Sequence, residues 1–392
     1  MKIGEVPEGA APETIYAEAT APASAGVAVV RVSGPQASFV LDVLGGGEVE
    51  PRRATRVDLH GVSDRRLLDT ALVLWFPKPE SFTGEDTVEF HLHGGRAVVG
   101  AVMEELGRMD GLRVAEPGEF SRRAFLNGKM DLTEAEGLAD LVASETEAQR
   151  KQALRQLRGE LGTIYEDWRR RLLRCLAHVE AELDFVDEDL PVDLRAAVSN
   201  DVTELKREIT AHLDDQRQGE RVRDGASVVI VGAPNVGKSS LLNQLARRDA
   251  AIVHEMAGTA RDVIEVRLDL SGYPLTVFDT AGLRDSVDEI ENEGMRRARM
   301  AAGRADLVIG VWDASRLPHL DAFTKSLLGR VGLAVFNKTD ICARHLPRTV
   351  GGCRAIKVSC KTGAGLDVLV EELKSRAAQM MAGSESPIIS RQ

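Results

Sequence analysis

The residues whose types and spacing most plainly imply chemistry begin at Gly232. The run through Asn235, Val236, Gly237, Lys238, Ser239 and Ser240 reads G-x-x-x-x-G-K-S, follows the apolar stretch 227–232 and precedes SLLNQLA. A strand before and a helix after form the context in which such a loop holds a polyphosphate. Its glycines let backbone N–H groups wrap phosphate oxygens. Lys238 supplies a cation for the β and γ positions, and the Ser239 hydroxyl can join a Mg2+ shell.

Three further motifs follow in order. LTVFDTAG ends in Asp279, Thr280, Ala281 and Gly282, placing a carboxylate for the Mg2+ shell and the Gly282 N–H for a γ-phosphate. LAVFNKTD supplies Asn337, Lys338 and Asp340 at the end of another strand. The Asp340 carboxylate can accept from guanine N1–H and the 2-amino group, which adenine does not offer. Ser359, Cys360 and Lys361 close the next strand and fit the loop that backs the base. Any one of these is an ordinary strand-end turn. Four in order, at separations suiting one domain, imply GTP and GDP as ligands. The residue after Gly282 is Leu283, which cannot polarise water as a Gln would there, so hydrolysis needs another group.

These motifs need a frame. The chain has 392 residues, enough for two or three domains. Residues 1–118 alternate β-rich runs (14–19, 26–32, 71–76, 87–93) with a helical run at 97–109, an α+β pattern. Residues 119–221 read as helix: Leu154, Leu157, Leu161, Ile164, Trp168, Leu172, Leu176, Val179 and Leu183 step by three or four, as expected for a bundle core. Residues 222–378 alternate strand and helix, a doubly wound α/β pattern, and 379–392 is a short tail. Cys175, Cys342, Cys353 and Cys360 have no metal-ligand spacing, which suits free thiols in a cytoplasmic protein. No apolar run approaches the ~20 residues of a membrane span. A formal net charge of −11 argues against a grip on nucleic acid over the whole surface.

The stretches ETIYAEAT, SFTGEDTVEFHLHGG, EPGEFSRRAFLNGKMDLTEAEGLADL, AGTARD and DTAGLRDSVDEIENEG resemble the tRNA-modifying GTPases of the MnmE (TrmE) family. PGEFSRRAFLNGKMDL is the most diagnostic, since general GTPases lack it. The resemblance implies an N-terminal α+β domain that dimerises and binds a folate, and a helical domain interrupted by a P-loop GTPase domain. It implies GTP hydrolysis coupled to modification of the wobble uridine of tRNA at C5, with an MnmG-type flavoprotein as partner; FAD belongs to that partner. It implies that K+ bound between paired GTPase domains replaces an arginine finger. Asn235 then corresponds to a side-chain K+ ligand, His254, Met256 and Thr259 to the loop around the ion, and Glu291 to the acid that orients the attacking water. Thr259 also falls among the nucleotide contacts. Arg31, Glu89 and Lys129 correspond to contacts with a reduced folate, 5-formyl- or methylene-tetrahydrofolate.

Some positions depart from the family. Its Gly-Thr-Thr-Arg-Asp switch reads Gly258-Thr259-Ala260-Arg261-Asp262 here, removing a hydroxyl expected on Mg2+. The sequence ends at Gln392 without the family's terminal Phe-Cys-Ile-Gly-Lys motif, so the expectation is a chain lacking the last part of the helical domain. A different function class stays open at this point: a regulatory GTPase switch associated with RNA or the ribosome.

Overall fold

The computed structural model describes residues 13–184, 194–213, 218–247, 265–279, 290–329, 332–342 and 345–381. The chain divides into two compact units after Ala135. Among the described residues no helix is long and apolar enough to cross a membrane.

In the first unit the described elements are β1 (Thr14–Glu18), β2 (Ala28–Ser33), α1 (Ala37–Gly45), β3 (Thr55–His60), β4 (Leu67–Phe76), β5 (Thr87–Leu92), α2 (Arg96–Gly107), β6 (Leu112–Val114) and α3 (Glu119–Leu126). The sheet order is β3-β4-β5-β2-β1-β6. Alternation decides its faces. Val30 and Val32 of β2 and Phe90 of β5 bury fully against Val40 and Leu44 of α1 and Val102 and Leu106 of α2. The odd-numbered residues of β2 and β5 point the other way. In the antiparallel register Arg31 lies opposite Glu89, and Val29 opposite His91. The sequence reading lacked β3 and β6. β3 (TRVDLH) is an edge strand with four polar residues of its six, and the three-residue β6 is too short to show a period.

Glu119, in the PGEFSRR segment, ties α3 to the sheet. It accepts from both Arg113 Nη atoms (2.8 and 2.7 Å), from Arg123 Nη2 (3.0 Å) and from the Glu116 amide (2.9 Å). The Arg113 hydrogen bonds, reinforced by the Glu116 amide and Arg123, outweigh burial and bring the Glu119 carboxyl down to about 2.

The second unit starts within α4 (Leu132–Val142) and continues through α5 (Glu147–Leu157), α6 (Glu160–Asp184), α7 (Leu194–Leu213) and α8 (Gln218–Asp224). Thr146 caps α5 through a reciprocal box with Gln149. The apolar stripe at 154–183 is not one helix: Gly159, at φ +77°, separates α5 from α6. Nor is the whole stripe core. Leu161 and Cys175 are buried, but Leu172, Leu176, Val179 and Leu183 are 42–70% exposed. On α6 the buried Leu161 and Cys175, with the half-buried Trp168 midway between them, follow a spacing of seven, the repeat of paired helices. Against α7, the Trp168 indole donates to Glu208 (3.1 Å) and lies edge-on to His212. Periodicity located the apolar side of α6 but not the line along it that meets a partner.

Next come β7 (Ala226–Val231), α9 (Lys238–Arg247), β8 (Glu265–Leu270), β9 (Tyr273–Asp279), α10 (Ile290–Arg304), β10 (Leu307–Asp313), α11 (Ala322–Leu327), β11 (Leu333–Asn337), β12 (Thr349–Val350), β13 (Cys353–Lys357) and α12 (Leu366–Met381). The sheet order is β12-β13-β11-β10-β7-β9-β8. The strands from β13 to β9 run parallel, while β8 and β12 are antiparallel edges. The central strands β10 and β11 are buried at every position. Continuous apolar runs of this kind are what a sheet covered on both faces requires. Parallel strands bring their carboxyl ends to one edge, where ligands bind in such folds.

The Glu119 carboxyl supplies stability present above the ordinary glutamate pKa of 4.5 and lost as pH falls toward about 2. Glu119→Gln should weaken the first unit at pH 7 by about 2 kcal/mol, the full shift being discounted for the solvent-exposed side of Arg113. Hydrogen exchange over residues 112–126 during a urea titration measures this. The difference from the unmodified chain should close between pH 4.5 and 2, and a pH-independent difference would discard the ion-pair account.

Candidate nucleotide-binding site

At the carboxyl edge of the second sheet, β7 runs into the loop 232–237 and then α9. Two positive φ angles shape the loop, +64° at Asn235 and +97° at Gly237. A Cβ on Gly237 would collide with the Asn337 amide nitrogen, so only glycine lets the two loops close together. Lys238 is 8% exposed, and its ammonium donates to the carbonyls of Gly232 (2.9 Å) and Ala233 (3.1 Å). The cation therefore lies within the curve of its own loop. Ser239 and Ser240 are exposed in the first turn of α9, whose leading N–H groups and dipole favour an anion.

The candidate base-reading residues are assembled by side chains crossing between loops. Asn337, buried at the end of β11, donates from Nδ2 to the Val236 carbonyl (2.9 Å) and accepts at Oδ1 from the Cys360 amide (3.1 Å). Lys338, at φ +62°, donates to the Asn235 carbonyl (2.8 Å) and to Asp313 Oδ2 (2.7 Å). Asp340 accepts from the Ser359 hydroxyl at Oδ1 (2.6 Å), and its other oxygen takes no donor among the described residues. A carboxylate held at one oxygen and open at the other suits the paired donors on the guanine edge. The 359–365 turn is closed by Ser359 N–H to Ala364 O (2.9 Å) and Gly363 N–H to Ser359 O (2.8 Å). The Gln244 amide of α9 grips the Cys360 carbonyl (2.9 Å). Burial pushes the Cys360 thiol up to about 11, so it is neutral packing under the loop. Lys361 is exposed beside it.

Asn235, Val236, Gly237, Lys238, Asn337, Lys338, Asp340, Ser359 and Cys360 are thus joined in one network. Asp279 is the last residue of β9 and Glu291 the second of α10, and their side chains lie outside what is described. His254, Met256, Thr259, Thr280, Ala281 and Gly282 lie outside the described residues. Sequence reading missed Asp313. Its one signal was an acid ending the otherwise apolar strand LVIGVWD.

The first unit has a second constellation, on the sheet face away from α1 and α2. Arg31 pairs with Glu89 through Nε (2.8 Å) and Nη2 (2.7 Å). The Arg31 guanidinium lies 5.1 Å from the Phe82 ring centroid and 5.5 Å from that of Phe120. His91 Nε2, 3.5 Å from Glu89, is buried without a hydrogen bond. Phe120 comes from the PGEFSRR segment that Glu119 anchors, and Asn127 of the same segment donates to the Thr83 carbonyl (2.7 Å). Lys129 packs its stem toward Gly84 but hydrogen-bonds neither Arg31 nor Glu89. Two of the three expected residues meet directly, and the third stands on the next loop. His91 and the two aromatic rings were not foreseen.

Known proteins match this arrangement along almost all of its length. Residues 14–129 match the family model described as GTP-binding protein TrmE N-terminus, and residues 132–392 match the MnmE helical domain. The tRNA modification GTPase MnmE of Paramagnetospirillum magneticum is 53% identical over 381 residues, 97% of this chain and 86% of that protein. Its counterpart in Rhodospirillum rubrum is 52% identical over 392 residues, with the same coverage. The mitochondrial 5-taurinomethyluridine-[tRNA] synthase subunit GTPB3 of Danio rerio is 46% identical over 401 residues, covering 95% of this chain and 80% of that one. With both family models matched and identity above half over nearly the whole chain, the protein belongs to the MnmE (TrmE) family.

Proposed function

We propose that this chain is the GTP-hydrolysing component of a system that modifies C5 of the tRNA wobble uridine, with an MnmG-type flavoprotein as partner. The observation that carries the proposal is one chain holding both the closed guanine-reading network around Asn337 and the Arg31–Glu89 face, in a family whose members are named for tRNA modification. The four-part division at 118, 221 and 378, with a homodimer formed through the N-terminal unit, belongs to the same proposal.

In hydrolysis, water attacks the γ-phosphorus as the bond to the bridging oxygen breaks, leaving GDP and phosphate. Leu283 cannot orient that water, so Glu291 takes the role from the start of α10. Lys238 turns from its loop carbonyls to the phosphate oxygens. Ser239, exposed at the head of α9, fits a Mg2+ shell together with Asp279. Asn235, exposed in a left-handed turn, fits a K+ ligand, and the family resemblance assigns His254, Met256 and Thr259 to the same ion. Bound there, the two cations supply positive charge where negative charge develops. Ala260 leaves that shell one hydroxyl short.

Arg31, Glu89 and the unpaired His91 nitrogen, beside Phe82 and Phe120, fit a flat heteroaromatic ring with a polar edge and a carboxylate tail, as a reduced folate has. Lys129 adds a second cation. When bound, the folate supplies a one-carbon unit; the protein's part is to hold and orient it.

Three outcomes are expected. Mass analysis of tRNA nucleosides from cells lacking this protein should show loss of the C5 substituent on wobble uridine, and an unchanged profile would sink the tRNA role. GTP turnover should be faster in KCl than in NaCl at equal ionic strength, and Glu291→Ala should lose turnover while keeping nucleotide binding; equal rates in both salts would discard K+. Calorimetry should show Arg31→Ala losing roughly tenfold or more in reduced-folate affinity, as expected for a charge-assisted contact, with GTP affinity intact. No folate binding by the unmodified chain would remove that ligand from the site.

A further inference from the structure

The last residue of β10 stands outside every nucleotide motif in the sequence, yet it touches the site. Asp313 is the register partner of Asn337 across β10 and β11, one residue before Lys338. Its side chain is 5% exposed, and its two oxygens divide their contacts. Oδ1 accepts from the Ser315 amide (3.0 Å) and hydroxyl (2.6 Å), capping the short turn at 314–316. Oδ2 accepts from the Lys338 ammonium at 2.7 Å, and Arg316 Nε stands at 4.0 Å.

Lys338 is held at both ends. Its backbone is in the left-handed region, which is strained for a residue with a Cβ. Its ammonium sits between the Asp313 carboxylate and the Asn235 carbonyl of the phosphate loop. The four-carbon stem therefore bridges the end of β11 and the phosphate loop, two residues before Asp340. Burial opposes ionisation of Asp313, but Lys338 and Ser315 outweigh it and hold the carboxyl below its ordinary range. The negative charge that fixes the lysine is present at neutral pH.

We infer that Asp313 is a positioning residue for guanine nucleotides: it pins the Lys338 ammonium against the phosphate loop and so sets the lysine stem as one wall of the base slot. The inference rests on the guanine-nucleotide reading of the site. It acts at the base end, so GDP and GTP should depend on it equally. Without the carboxylate the ammonium keeps one carbonyl, and the stem is free to leave the slot.

Asp313→Asn separates the two duties, because its carbonyl oxygen still caps the 314–316 turn while an NH2 group faces the ammonium. The experiment measures dissociation of a fluorescent GDP analogue and of its GTP counterpart from four full-length chains: unmodified, Asp313→Asn, Lys338→Met and the double variant. Thermal unfolding without nucleotide serves as a control on folding. The expected result is dissociation about tenfold faster for Asp313→Asn with either nucleotide, and no further acceleration when that change is added to Lys338→Met. Equal acceleration in both backgrounds would mean that Asp313 acts on the fold and not through Lys338, and would overturn the inference. So would an unchanged rate in Asp313→Asn. Failure of the unmodified chain to bind either analogue would instead overturn the nucleotide reading, and this inference with it.

Discussion

The Asn337 carboxamide is the interaction on which the nucleotide site depends. It spends its donor on the Val236 carbonyl and its acceptor on the Cys360 amide, joining the phosphate loop to the base loop inside the protein. At 2% exposure no solvent replaces either bond, so each unmet partner would cost about 1–3 kcal/mol. An aspartate could not donate to Val236 O, and a leucine of similar size would strand both groups. The approach that makes these bonds possible requires Gly237, since a Cβ there would occupy the space of the amide nitrogen. The loops meet because parallel strands deliver them to the same edge of the sheet: β7 leads to the phosphate loop, β10 to Asp313, β11 to Asn337 and β13 to Ser359.

A different constraint governs the first unit. There the candidate ligand contacts arise from strand register, not from a loop. Arg31 and Glu89 are 58 positions apart and meet because β2 and β5 pair antiparallel, with those two residues opposite each other on the face that α1 and α2 leave open. A slip of one residue in either strand would turn its member of the pair into the core. The packed face, with Val30, Val32 and Phe90 fully buried, thus fixes the polar pair on the other side. The Glu119 knot completes the arrangement by anchoring the segment that lays Phe120 beside Arg31.

This contrast explains what was legible in the sequence. The segments of the candidate phosphate loop and base-reading motifs were visible because each is contiguous and flanked by strand or helix patterns. The strands β1, β2, β4 and β5 were legible to within a few residues from their apolar runs. The Arg31–Glu89 pair was not legible from the residues themselves, since nothing local reports a register; only the family resemblance pointed to it. His91, Phe82 and Phe120 were missed for the same reason, and Asp313 because a single acid after an apolar strand reads as a strand end. The 154–183 stripe misled in another way. Its spacing correctly indicated helix, yet Gly159 broke it in two, and on α6 Leu161 and Cys175 are buried while Trp168 meets Glu208 and His212 of α7.

The join between the helices and the nucleotide-binding fold is also specific. α8 runs directly into β7, and Arg221 and Ser227 share Asp306 as their acceptor on the turn before β10. At the far end of the fold, Met381 of α12 packs with Val222 and Ala226, so the first and last residues of the fold lie side by side. That closeness lets such a module be set into another chain with little disturbance to its host, because the gap it opens is no wider than a short loop would span. Met380 and Tyr273 pack at that join too. The turn of the β8–β9 hairpin meets α5 at the same place, the Ala148 amide donating to the Gly272 carbonyl (2.9 Å), so the hairpin, the first strand and the last helix of the fold close on one shared patch.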